Sequence, residues 1–110
     1  MSNPEVAEAT AGSQKRVGVY GWVEQTIAER CLKGSAVVNA ALKVASRNPD
    51  LLVKALLTRI RNPDDDQTCT KRISYYASLA VCQETKRLAL LTKLGEEETV
   101  RLAVESYLHS

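Results

Sequence analysis

The segment Ala55–Ile60 reads ALLTRI, and 34 residues later Ala89–Leu94 reads ALLTKL, with four of six positions identical. Each copy ends an apolar stretch of helical period and is followed by a polar break, so the echo predicts repeated helical units. Clear stops separate the stretches. Trp22, Val23, Ile27 and Cys31 share one stripe, Gly34 suits a helix end, and Ser35 suits the next cap. Val38, Ala41, Leu42 and Ala45 continue a second stripe. In RNPDLL, Asn48 suits an N-cap, Pro49 the first helical position and Asp50 the positive end of the helix dipole. Leu52, Val53, Leu56, Leu57 and Ile60 form the next face, and RNPDDDQT stops it at Pro63. Asp66 or Thr68 suits the following cap.

From Cys69 to Leu94 no residue forces a break, so this stretch reads as one long helix, or two with a turn near Cys82–Thr85. Gly95 ends it, and EEETVRLAVESYL reads as a last helix with its acids at the N-terminal end. The fold expectation is therefore all-α: five to six helices packed as antiparallel hairpins, in a small bundle or a short α-solenoid-like stack. Residues 1–14 read as a flexible tail and residues 15–110 as a single helical domain. The unit LLTKLGEEETVRLAVESYL resembles HEAT and armadillo-type helical repeats, best over residues 89–108. The resemblance implies hairpins stacked around a groove.

A second echo supports a different reading. KRVGVY (Lys15–Tyr20) and KRISYY (Lys71–Tyr76) both alternate, with Val17/Val19 and Ile73/Tyr75 facing one way and Arg16/Tyr20 and Arg72/Tyr76 the other. A short basic strand followed by two helices looks like the ribbon-helix-helix DNA-binding family. That resemblance implies an antiparallel ribbon with Arg16 and Arg72 in a major groove. It requires a strand-to-helix break that only Ser78 could supply, and it makes NPDLLVKALLTRI an extra helix between two halves.

The chemistry of catalysis is missing. His109, one residue from the C-terminus, is the one histidine, which removes the common nucleophile–His pairs and His-based zinc sites. Asp64–Asp66 lacks the alternation, central Gly and closing Glu of a calcium loop, and no Gly-rich phosphate loop occurs. Cys31, Cys69 and Cys82 match no metal spacing and read as free thiols of a reducing compartment. Apolar runs are too short for a membrane span, so the expectation is a cytoplasmic protein without catalytic activity, metal or cofactor.

Function is then a matter of binding. A helical interaction module, with another protein or a second copy as partner, would use Tyr20, Trp22, Tyr75 and Tyr76 as anchors. The alternative is a nucleic-acid-binding protein, of the kind viruses and mobile elements carry as accessories. Residues 30–93 hold twelve Lys or Arg against five acids, while both flanks are acidic. Arg59, Arg61, Lys71, Arg72, Lys86 and Arg87 are the candidate contacts, with Tyr75 and Tyr76 beside them. On one straight helix the tripeptides TKR at Thr70–Arg72 and Thr85–Arg87 lie about 22 Å apart, a spacing suited to the phosphates of one RNA or DNA duplex.

Overall fold

The computed structural model describes residues 12–61 and 69–109. In chain order its elements are β1 (Gly12–Tyr20), α1 (Gly21–Glu29), α2 (Gly34–Arg47), α3 (Asp50–Arg61), β2 (Cys69–Ser78), α4 (Leu79–Thr92) and α5 (Glu96–His109). The all-α expectation is thus overturned: β1 and β2 form a two-stranded antiparallel sheet. β1 begins inside the segment expected to be a tail, and the first ten residues of the expected long helix are strand. The suggested caps Asp66 and Thr68, and the loop Asp64–Asp66, lie outside the described residues.

Alternation explains the switch. In β2, Tyr75 and Ala77 are buried and Ile73 packs on the core, while Arg72, Ser74 and Tyr76 are exposed. A helix would carry Tyr76 inward beside Ile73. The period-2 pattern instead buries Tyr75, and the β-branched and aromatic residues pack well on a pleated surface. In β1, Val17 and Val19 have no exposure and Arg16 is exposed. Tyr20 departs from the expected face. The register shifts between Val19 and Tyr20, and the Tyr20 ring turns inward to lie 5.8 Å from the Arg101 guanidinium.

The pairing register identifies a symmetry. Val17 faces Ile73, Arg16 faces Ser74 and Gly18 faces Arg72. Shifting KRVGVY by 56 residues onto KRISYY maps Val17 onto Ile73 and Arg16 onto Arg72. A pseudo-twofold axis therefore passes through the Val17–Ile73 pair. The helices obey it: α2 packs on β2, α5 packs on β1, and α2 packs on α5. Each half is a strand and two helices, and each second helix covers the other half's strand. The antiparallel pairing of the two basic strands is the part of this arrangement that the ribbon-helix-helix resemblance implies. α3 is the extra helix, packed on α5.

A lone two-stranded ribbon is marginal in water, so the layer beneath it holds it. That layer centres on Val17, Val19, Val38, Leu52, Leu88, Leu102 and Val104, all fully or nearly fully buried. Gly34 opens α2 instead of closing α1. A Cβ there would lie 2.8 Å from Ile73 Cγ2, so only glycine lets α2 approach β2 without a shift. α1 ends through Cys31, which takes a left-handed φ of 54°. The bend expected near Cys82–Thr85 is absent, and α4 runs through it to Thr92.

The strand-to-helix break is at Ser78. Its Oγ accepts a hydrogen bond from Val81 N at 3.2 Å, an N-cap that satisfies one of the donors at the start of α4. Replacing Ser78 with Ala is expected to cost about 1 kcal/mol in urea denaturation. A neutral result would show that packing alone starts the helix.

Candidate functional site

The outer face of the ribbon carries Gln14 and Arg16 from β1 and Arg72, Ser74 and Tyr76 from β2, all exposed. Strand periodicity aims these side chains away from the helices that cover the other face. Gln14 faces Tyr76 and Arg16 faces Ser74 across the ribbon, so the five form one continuous patch. The patch is basic and rich in hydrogen-bonding groups. A ribbon of this kind is narrow enough to enter a groove about 12 Å wide.

Ion pairs lie at its margins. Lys71 Nζ is 3.3 Å from Glu24 Oε1 at the start of α1. Arg72 Nη1 is 3.8 Å from Glu97 Oε2 on α5, with both side chains well exposed. The same Glu97 oxygen accepts from Gly18 N at 3.1 Å and from Arg101 Nη2 at 3.3 Å. Arg101 Nε in turn donates to Gly18 O at 2.6 Å, and its Nη1 bonds to Glu98. The outward-facing backbone groups of Gly18 on the open edge of β1 are thereby satisfied by α5.

Two clefts flank the ribbon in pseudo-symmetric positions. One, of about 440 Å³, lies between β2 and the start of α2 and is lined by Lys71, Arg72, Gly34 and Ser35, with Glu24 at its edge. The other, of about 360 Å³, lies between β1 and the start of α5 and is lined by Lys15, Arg16, Tyr75, Glu96 and Glu97. Burial pushes the Tyr75 phenol up to about 12 from 10.0, reinforced by Cys82, Glu96 and Glu97. The neutral phenol is favoured by folding. Its contribution to stability is complete below pH 10 and is lost as pH rises through about 12. Alkaline titration followed by tyrosinate absorbance is therefore expected to show a late phase that disappears in Tyr75→Phe. Tyrosines that all ionise together near pH 10 would contradict the buried position.

The residues singled out in the sequence divide. Arg72 and Tyr76 stand on the outer face, and Lys71 stands at one end of the ribbon. Tyr75 is 5% exposed and belongs to the core. Lys86 and Arg87 lie on α4, where Arg87 bonds Glu84 through Nε and Nη2 and donates to Ser46 O. Those bonds from Arg87, then one from Ser46, hold the Glu84 carboxyl down at about 2. Arg59 and Arg61 fall within α3, but their side chains lie outside the described residues. The two TKR tripeptides are split between a strand and a helix, so the straight-helix spacing between them is lost. Of the aromatic anchors, Tyr20 is buried, and Trp22 packs on the core and against His109, with ring centroids 4.6 Å apart.

Gln14 and Ser74 were missed as site residues. Both are polar residues one strand period from an outward arginine, and only the pairing register reveals that they share its face. No group of His, Cys, Asp and Glu among the described residues could hold a metal ion, and no described helix is long and apolar enough to cross a membrane. No family model, curated protein or solved structure matches the chain.

Proposed function

We propose that the protein binds double-stranded DNA by laying the outer face of its ribbon in the major groove. One observation carries this reading: Gln14, Arg16, Arg72, Ser74 and Tyr76 face outward together from an antiparallel pair whose other face is sealed by the core. These side chains suit base edges. Arg donates to guanine O6 and N7, Gln pairs with adenine, and Ser serves either. The major groove of B-DNA admits a two-stranded ribbon, whereas that of A-form RNA is too deep and narrow. DNA is thus favoured over the RNA duplex that a straight basic helix would have suited.

The test is anisotropy of labelled DNA and RNA duplexes of equal length, titrated at low and near-physiological salt. Binding of DNA in the micromolar range or tighter, with a steep salt dependence and weaker binding of RNA, is the expected result. Equal binding of both duplexes would remove the groove-insertion argument.

A protein partner on another face is supported by exposed apolar side chains. Leu90 and Leu91 on α4 are 80% and 55% exposed, and Val53 and Leu57 lie one turn apart on α3. Such a contact is compatible with a free ribbon.

A further inference from the structure

The two arginines related by the pseudo-twofold axis have unlike surroundings. Arg72 lies opposite Gly18, and its guanidinium reaches Glu97, the second residue of α5. The second residue of α2 is Ser35, which carries no charge, and Arg16 shares a cleft with Glu96 and Glu97 without pairing to either within 4.0 Å. Among the described residues Arg16 has no acidic partner. We propose that Glu97 is a specificity-determining residue that makes the two halves of the ribbon unequal readers. Arg16 shares a cleft with Glu96 and Glu97 but forms no ion pair among the described residues, while Arg72 is held by a carboxylate that the nucleic acid must displace. This proposal rests on the DNA-binding reading and deepens it.

The geometry supports a restraint in place before binding. Glu97 Oε2 is fixed at the edge of β1 by Gly18 N at 3.1 Å and by Arg101 at 3.3 Å, and Arg101 is only 13% exposed. Arg72 alone of its three partners projects from the outer face, with 63% of its side chain exposed. The carboxylate therefore stays in place while Arg72 chooses between it and an incoming acceptor. An ion pair this exposed is weak and screened by salt, so it biases the choice without blocking it. DNA then engages the Arg16 half first, and a site read this way is directional despite the symmetry of the backbone.

The experiment is a mutant cycle in duplex anisotropy at low salt. Glu97→Gln keeps an oxygen for Gly18 N and removes the charge. It is expected to raise affinity about three- to tenfold, with the gain shrinking as salt rises. The gain should fall below about twofold in an Arg72→Gln background, because Glu97 acts through Arg72. Glu96→Gln removes a charge from the same helical turn and is expected to give less. Glu97→Ser, which copies the α2 end, provides a second variant should the Gln form fold poorly by circular dichroism. No gain, an equal gain without Arg72, or an equal gain from Glu96→Gln overturns the proposal while leaving DNA binding intact. Absence of DNA binding in every protein, the parent included, overturns the DNA reading and this proposal with it.

Discussion

Reversing both outward arginines, in Arg16→Glu/Arg72→Glu, is expected to weaken duplex DNA binding at least about a hundredfold and to leave the fold intact. Both side chains are exposed on the ribbon's outer face, so neither change enters the core. Each arginine that contacts a base bidentately contributes about 1–3 kcal/mol of discrimination, and the two act from symmetry-related places on one surface. The reversal also puts two negative charges where the groove is lined by phosphates. The slope of log affinity against log salt should fall by about two if both arginines also neutralise phosphates. The check is the anisotropy titration, with far-ultraviolet circular dichroism as the control for folding. A variant that binds as tightly as the parent would show that the ribbon is not the interface. Lys86→Glu/Arg87→Glu on α4 serves as the comparison, since those residues lie off the ribbon and Arg87 is engaged by Glu84. Equal losses from both pairs would point to diffuse electrostatic attraction instead of a docked face.

Val17→Asp is expected to destabilise the protein by more than ~3 kcal/mol, a large part of the roughly 5–15 kcal/mol that holds a domain of this size. Val17 has no exposure and sits at the centre of the ribbon opposite Ile73, so a carboxylate there is cut off from water. Ser74→Asp, one position from Ile73 but on the outer face, is expected to change stability by no more than about 0.5 kcal/mol. It should still weaken DNA binding, because it places a negative charge opposite Arg16. Urea denaturation followed by circular dichroism measures both. The contrast depends on strand periodicity alone: adjacent residues take opposite faces, whereas a helix would spread them over neighbouring ones. Similar costs at the two positions would contradict the ribbon.

Much of the helical part of the fold was legible from local chemistry. Asp50 does open α3, although Asn48 closes α2 and Pro49 stands just before the helix and not at its first position, and the acids Glu96–Glu98 do occupy the first turn of α5. Apolar residues at helical spacing, such as Val38, Ala41, Leu42 and Ala45, are buried where the pattern placed them. These features depend on residues within a turn or two of one another. The site was legible in part for the same reason. The echo of KRVGVY and KRISYY marked Arg16 and Arg72, but RISYYASLAV fits both periods, and nothing local separates them.

The sequence by itself determined the helices with clear apolar stripes and the basic middle of the chain. Only the tertiary structure decided that Cys69–Ser78 is strand, because its stabilisation comes from β1, more than fifty residues away in the chain. Pairing the two segments buries Val17, Val19 and Tyr75 on one face and satisfies backbone groups along both strands, which a helix at either place could not do for the other. The register, and not the composition, then puts Gln14 and Ser74 beside the arginines. It likewise brings Arg72 to Glu97 across Gly18, a meeting of residues that no local rule connects.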